Sequence, residues 1–312
     1  MNLSVNDGKP ARRRRYDARA LSVPSNIIVN VLLGAFVAMC ILPLLLVLAV
    51  SLSTESDLNA YGYLFIPRHF NLSAYTFVFR DFATIARSYG VTTFVTVAGS
   101  VVSTAFIAFY AYPISRKDFR YKNLFSFLVF FTMLFNGGLV PWYMVYVNLL
   151  QIKDTLWVLI IPGLVTPFFV LIMRSFFITT IPDSLIESAK IDGANDVVVF
   201  FSIVLPLGTA GLATIALFNM LAYWNDWFRA LLFINSDKLY PLQFLMYRLQ
   251  ITIQILKDMA QRGANIDFST ANIPQETAKM AMCILSIGPI VLAYPFFQRY
   301  FVKGLTLGAI KG

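Results

Sequence analysis

The side chains that could do chemistry are concentrated in one short stretch, ESAKIDGAND, at residues 187–196. Its charged residues are Glu187, Lys190, Asp192 and Asp196, and Gly193 and Asn195 lie between the last two. Elsewhere the sequence offers little for catalysis, because His69 is the only histidine and no G-x-x-x-x-G-K-[S/T] phosphate loop occurs. A Ser-His pair and a histidine-based metal site are therefore excluded. We expect no catalytic residue, no metal ligand and no cofactor bound by this chain.

The composition predicts a membrane protein. Of the 312 residues, 58% are apolar and only 13% are charged, and the mean hydropathy is +0.69. A soluble domain carries roughly a quarter of charged residues. About 20 apolar residues suffice for a helix to cross the hydrocarbon core, and six stretches are long enough: 26–50, 91–113, 124–147, 156–178, 207–233 and 280–297. The sequence therefore predicts an all-α polytopic membrane protein with six transmembrane helices.

The basic residues indicate how these spans are oriented. The densest run is Arg12 to Arg15, just before the first span. A second group occupies the short loop between spans 2 and 3: Arg116, Lys117, Arg120 and Lys122. Loops rich in lysine and arginine face the cytoplasm, so we expect ESAKIDGAND and both termini there. An RNA-binding tail is the alternative for the arginine run, but Tyr16 is its only adjacent aromatic residue, so no nucleic-acid partner is expected.

The same orientation divides the chain into segments. Residues 1–25 are predicted to be a cytoplasmic basic segment, and residues 26–312 a six-helix transmembrane domain with a cytoplasmic tail at 298–312. The loops 51–90 and 235–279 then lie outside the cell. In the second of these, apolar residues recur at steps of three and four between Pro241 and Arg262. This period predicts an amphipathic helix.

Helix-breaking residues interrupt three of the predicted spans. They are FNGGLVPWY at 135–143 in span 3, IIPGLVTP at 160–167 in span 4, and Gly288-Pro289 in span 6. Backbone groups freed inside a membrane must be satisfied by protein or by a wet cavity. Any one break is consistent with an ordinary kink, but three together favour a translocation cavity.

The polar stretch is predicted to be an ordered loop, residues 181–207, between spans 4 and 5. Ser184 and Glu187 match a capping box, and the helix that they start should end near Ile191. Gly193 then permits the left-handed conformation that terminates a helix, while Asn195 or Asp196 caps a second short helix and Pro206 starts span 5. A plain hydrophilic connector is the alternative, but two to eight residues would suffice for one. The extra length, with small Ser188 and Ala189, favours docking of a cytoplasmic partner.

Polar and aromatic residues near the breaks are candidates for sugar contact. Asn219, Tyr223 and Asp226 recur at i, i+4 and i+7 of span 5 and share a helix face, with Trp224 alongside. Asn136, Trp142 and Tyr143 flank the break in span 3. Aromatic faces stack on pyranose rings, and amides or carboxylates bind their hydroxyls. The alternative is an aromatic belt at the outer membrane interface.

The loop resembles a known signature. Its residues fit the EAA motif of bacterial ATP-binding-cassette (ABC) importer permeases, E-A-A, three residues, G, nine residues, I-x-L-P: Glu187, Ala189, Gly193, Ile203, Leu205 and Pro206, with Asp192 and Ala194 between them. Ser188 departs from the motif at the middle alanine. DTLWVLIIPGLVTPF, AYWNDWFRALLF and QRYFVKGLTLGAIKG are similar to the carbohydrate-uptake branch, especially the permeases for alginate, pectin fragments and other complex oligosaccharides.

The resemblance implies a MetI-like permease fold in a bacterial cell membrane. It further implies a second, homologous permease that completes the pore, and two ATPase subunits that bind ATP and Mg and receive this loop as a coupling helix. An extracytoplasmic binding protein would deliver the sugar. A permease for a non-sugar solute, a self-contained secondary transporter and a membrane-bound hydrolase are the alternatives. The last two are weakened because the spans contain no acidic pair suited to a proton relay and no catalytic pair.

Overall fold

The protein is described by a computed structural model that covers residues 23–262 and 276–309. This part of the chain is almost entirely helical. In chain order its helices are α1 (Val23–Ser51), α2 (Glu55–Tyr61), α3 (Ser73–Val78), α4 (Phe82–Ser115), α5 (Lys122–Leu134), α6 (Leu139–Met144), α7 (Leu156–Ile160), α8 (Pro167–Thr180), α9 (Asp183–Ile191), α10 (Asp196–Val199), α11 (Leu205–Leu207), α12 (Thr209–Trp224), α13 (Phe228–Phe233), α14 (Leu242–Gln261) and α15 (Glu276–Ala309). Short π-helical segments extend α6 through Val145–Leu149 and α10 through Phe200–Val204.

Two stretches of helix are long and apolar enough to cross a membrane unbroken, Pro24–Ser51 and Ser73–Ser115. Three bent helix pairs raise the number of candidate spans in the described residues to five. The second span was predicted from residue 91, but its helix begins at Phe82, because the Asp81 side chain accepts the N–H of Thr84 and caps it. The prediction for 280–297 falls within α15.

The breaks predicted in spans 3 and 4 are confirmed. The chain bends by 115° between Lys122–Leu134 and Leu139–Leu149, and by 51° between Leu156–Gly163 and Pro167–Thr180. The break predicted at Gly288-Pro289 is wrong, since α15 runs through it. Proline removes the hydrogen bond to the carbonyl four residues earlier, which is that of Leu285. The Tyr89 hydroxyl donates to this carbonyl at 2.6 Å, so the helix continues.

The fifth predicted span, 207–233, is not one helix. Helix α12 ends at Trp224, and the Asp226 carboxylate accepts the N–H of Arg229 at 3.2 Å, which starts α13. At the other end, the chain turns by 78° between Asp196–Leu207 and α12. Gly208 is the residue between these two helices, and a methyl group there would lie 2.9 Å from the carbonyl oxygen of Val204.

Helix α4 is the centre of the packing, against α8 and α12. Its buried face carries small side chains, as is common where membrane helices approach closely: Gly99, Ser100, Ser103, Ala108 and Ala111. The Tyr223 ring of α12 lies directly over Gly99, where a Cβ atom would be 2.7 Å from the ring. By contrast, the most apolar window of α1 buries none of its residues within the chain.

The predicted amphipathic helix is confirmed as α14, Leu242–Gln261. Leu242 and Ile253 are buried against the start of α4 and against α15. Its first N–H, that of Leu242, donates to the Thr92 hydroxyl of α4 at 2.7 Å. The sequence NIPQE at 272–276, with Pro274 early in a first turn, also predicts a helix start, but residues 263–275 lie outside the described part of the chain.

Gly208→Ala should destabilise the fold, because its methyl group would overlap both the Val204 carbonyl and the Phe177 ring. We expect a loss of about 1–3 kcal/mol, measured as a lower melting temperature of the purified protein. Gly34→Ala in α1 is the matched control, since no atom lies within 4 Å of its Cβ position. Equal melting temperatures for the two variants would contradict this account of the bend.

Candidate functional site: a polar loop and a remote cavity

The stretch ESAKIDGAND ends helix α9 with a Schellman motif. Gly193 has φ +86°, its N–H donates to the Lys190 carbonyl at 3.1 Å, and the Ala194 N–H donates to the Ala189 carbonyl at 2.9 Å. These two bonds satisfy carbonyls that a helix end otherwise leaves free. Ala189 and Ala194 both pack against the buried cluster beneath the loop, which is the apolar contact that accompanies this motif. The helix end at Ile191 and the left-handed Gly193 are confirmed.

The start of α9 differs from the prediction. The helix begins at Asp183, with Pro182 as the flanking residue and no side-chain cap. Ser184 is therefore inside the first turn, two residues after the cap position, and the capping box with Glu187 is wrong. The Ser188 hydroxyl instead donates to the Ser184 carbonyl at 2.9 Å.

The second half of the loop follows the prediction more closely. The Asn195 side chain accepts the N–H of Val198 at 2.8 Å and caps α10, so Asn195 rather than Asp196 is the cap. Three further residues of the EAA motif follow on the continuation of this helix. Ile203 and Leu205 pack against the core, and Pro206 is exposed. The loop is anchored by buried Ile186 and Val199.

The outer face of the loop is apolar as well as charged. Ile191 is 86% exposed, and Val197 is 63% exposed. Glu187 is also exposed and makes no ion pair within the described residues. Exposed apolar side chains that lie together and are rimmed by polar residues are typical of interaction surfaces. Ile191 was not predicted as part of this surface, although an isolated isoleucine at the end of a polar helix was a usable signal.

Ion pairs join this loop to the basic loop that follows α4. The Asp118 carboxylate binds Arg116 through two contacts of 3.1 Å and Lys190 through one of 2.9 Å. Lys117 binds Asp183 at 2.7 Å. Arg116 first, and then Lys190, lower the pKa of Asp118 to about 2, so this carboxylate stays ionised at neutral pH. The two loops therefore lie on the same side of the molecule, as their predicted orientation requires.

A cavity of about 380 Å³ lies at the other end of α5 and α12. Three predicted pathway residues line it, with four residues that were not predicted: Asn136, Trp142 and Asp226, and Gly138, Leu139, Phe228 and Arg229. Helix α5 has 13 residues and a rise of 1.5 Å per residue. The cavity is therefore roughly 20 Å from the polar loop along that helix.

Charge and aromatic groups are combined at this cavity. Arg229 and Asp226 form an ion pair of 2.9 Å, and their side chains are 16% and 15% exposed. Trp142 and Tyr143 both pack on the Phe233 ring, at centroid distances of 5.1 and 5.3 Å. Tyr143 is stacked on that ring and does not line the cavity. Arg229 was missed because its main partner outside its own turn, the Leu159 carbonyl at 2.7 Å, is 70 residues away in sequence.

The other span 5 candidates face the interior of the chain. Asn219 is 2% exposed and donates to the Thr104 hydroxyl at 3.2 Å. Tyr223 is 3% exposed and donates to the Ile160 carbonyl at 2.9 Å, while Trp224 donates to the Ser286 carbonyl. In this conformation none of the three can contact a solute. Since α12 ends at Trp224, Asp226 does not share their helix face.

The fold matches that of a solved transporter. The similar chain comes from a crystal structure of a bacterial ABC transporter involved in the import of the acidic polysaccharide alginate. The TM-score is 0.76 and the identity 31%, over 90% of this chain and 99% of the other. This protein therefore has the all-helical fold of an ABC importer permease.

The family follows from the sequence. Residues 103–307 match the family "Binding-protein-dependent transport system inner membrane component", and this chain belongs to it. It is a non-catalytic membrane subunit. One Bacillus subtilis relative is the polygalacturonan/rhamnogalacturonan transport system permease protein YtcP, 38% identical over 89% of this chain and 94% of the relative. Another, protein LplC of the same species, is 39% identical over 90% and 92%.

Tyr223→Phe should lower stability without removing a solute contact. The change deletes one hydroxyl and leaves the buried Ile160 carbonyl without its donor, at a loss of about 1 kcal/mol. Melting temperature of the purified permease measures this loss. Tyr63→Phe is the control, because Tyr63 is 53% exposed. If Tyr223→Phe changed how uptake depends on solute concentration while the melting temperature stayed native, Tyr223 would belong to the transport pathway.

Proposed function

We propose that this chain forms half of the translocation pathway of an ATP-driven importer for oligosaccharides derived from acidic polysaccharides. Family membership carries the permease role. The sugar is supported by two similar proteins, named for polygalacturonan/rhamnogalacturonan and for alginate. We infer six spans, the sixth being α15, in a multi-pass protein of the bacterial cell membrane with both termini in the cytoplasm.

The polar loop is proposed to be the docking site for an ATPase subunit. Backbone hydrogen bonds around Gly193 hold the loop in one conformation, and Ile191 and Glu187 are exposed on its surface. Burying the side chain of Ile191 would contribute about 1.5–3 kcal/mol to this docking. The carboxylate of Glu187 is free to pair with a basic partner residue.

The remote cavity is proposed to belong to the sugar pathway. It combines the Trp142 ring with the Asn136 amide and the Asp226–Arg229 ion pair. Arg229 offers a cation to a uronate, whereas Asp226 and Asn136 offer acceptors to hydroxyl groups. Asn219 and Tyr223 are proposed to hold the helices that form the cavity walls, not to contact the sugar. A second, homologous permease would supply the opposite half, and an extracytoplasmic binding protein the sugar.

Ile191→Asp and Gly193→Val should both weaken docking of the ATPase. The first places a charge at the apolar contact, and the second forces a β-branched residue to φ +86°. We expect at least a roughly tenfold weaker association, equivalent to about 1.4 kcal/mol, between the ATPase and the detergent-solubilised permease pair. Uptake driven by ATP in liposomes should fall with it.

Tyr121→Asp is the control for this docking surface. It adds the same charge at the same end of the molecule, at a residue that is 52% exposed but lies on the neighbouring loop. Its association should match that of the native protein. Wild-type association of Ile191→Asp would overturn the docking assignment, and uptake by the purified chain without any ATPase would favour a secondary transporter.

Leu139→Trp should obstruct the cavity. Leu139 lines it and is 50% exposed, so an indole group would occupy part of its 380 Å³. We expect oligosaccharide uptake to fall severalfold while the ATPase remains bound. Leu134→Trp is the matched control, since Leu134 is 62% exposed on the neighbouring helix and is not among the lining residues. Equal uptake by the two variants would place the pathway elsewhere.

A further inference from the structure

The loop after α4 holds helix α9 at both of its ends. Lys117 pairs with Asp183 in the first turn of α9, with Nζ and Oδ2 2.7 Å apart. Asp118 pairs with Lys190 in the last turn, at 2.9 Å. Seven residues separate these positions, or roughly 10 Å of helix. Two attachments at this spacing oppose rotation of α9 as well as its translation away from α4.

The Asp118 attachment is the better defined of the two. Arg116 Nε and Nη2 each donate to one oxygen of Asp118 at 3.1 Å, and this bidentate geometry fixes the direction of the carboxylate. The Arg116 side chain is only 11% exposed. The Lys117–Asp183 pair has side chains 82% and 42% exposed, against 38% and 51% for the Lys190–Asp118 pair, so water and salt weaken both pairs and the first one more. Lys190 also binds Asp196 at 3.1 Å, which includes α10 in the same network.

Arg116 connects this network directly to α4. It follows Ser115, the last residue of that helix, and the preceding Ile114 carbonyl accepts the Nε–H of Arg174 at 3.1 Å. Helix α4 has 34 residues, a length of roughly 50 Å. Near its opposite end, Thr92 binds the first N–H of α14 and Tyr89 binds the Leu285 carbonyl of α15. A displacement of α4 along its axis would therefore also move the residues that contact α14 and α15, far from the polar loop.

We propose that Asp118 is a positioning residue that transmits movement of α9 to α4, and through α4 to α14 and α15. The proposal rests on the docking of α9 to an ATPase, which supplies the movement. Asp118 contacts neither the sugar nor ATP. Without its charge, the attachment of α9 to the end of α4 is weakened, so part of the movement is lost and less sugar is moved for each ATP hydrolysed.

Asp118→Asn tests this transmission in the complete transporter reconstituted in liposomes with its binding protein. The quantities to measure are ATPase association, ATP hydrolysis and sugar taken up per ATP. We expect association and hydrolysis within twofold of the native values, and at least a fivefold lower ratio of sugar to ATP. Asp118→Glu, which keeps the carboxylate, should recover most of that ratio.

Arg120→Gln is the matched control, because it changes the charge of the same loop at a residue with no ion pair to α9; it should keep the native ratio. A native ratio in Asp118→Asn would overturn the proposal. Loss of ATPase association in that variant would also overturn it, since the network would then shape the docking surface and not transmit its movement. Failure of the docking assignment is recognised separately, by native association of Ile191→Asp.

Discussion

Inside a bilayer, no water is available to donate a hydrogen bond to a backbone carbonyl that a helix break leaves free. In this protein three carbonyls at the break between α7 and α8 accept a side-chain donor from another helix: Leu159 from Arg229, Ile160 from Tyr223, and Leu164 from Ser103. In α15, the Tyr89 hydroxyl and the Trp224 indole donate to the carbonyls of Leu285 and Ser286, in the turn before Pro289. The irregular backbone between α7 and α8 is therefore stabilised by donors that α4, α12 and α13 supply.

The same donors link the cavity to the rest of the chain. Arg229 donates to the Leu159 carbonyl of α7 and pairs with Asp226. One guanidinium therefore satisfies a carbonyl of the broken helix and also forms the ion pair at the cavity wall. Tyr223 crosses over Gly99 to reach the Ile160 carbonyl, which requires the close packing of α4 against α12. Polar residues in these helices thus serve both the helix packing and the cavity wall.

The sequence predicted those features whose signals are local. The left-handed Gly193, the Asn195 cap, the breaks near Gly138 and Pro162 and the period of α14 all depend on a few neighbouring residues. Periodicity also showed that Asn219 and Tyr223 share a face of α12. It could not show that α4 covers that face, because the covering residues lie over 100 positions away. Gly208, Ile191 and Arg229 were missed because their roles depend on distant partners or on exposure.

In the polar loop, the groups that set the backbone shape differ from the side chains that are exposed. The bonds that set this shape join backbone groups, between Lys190 and Gly193 and between Ala189 and Ala194, whereas Ile191 and Val197 project outward and support none of them. Under the docking proposal, substitutions on this exposed face would change which ATPase binds while the loop keeps its shape. Related permeases would then diverge in partner choice through few mutations, without passing through misfolded intermediates.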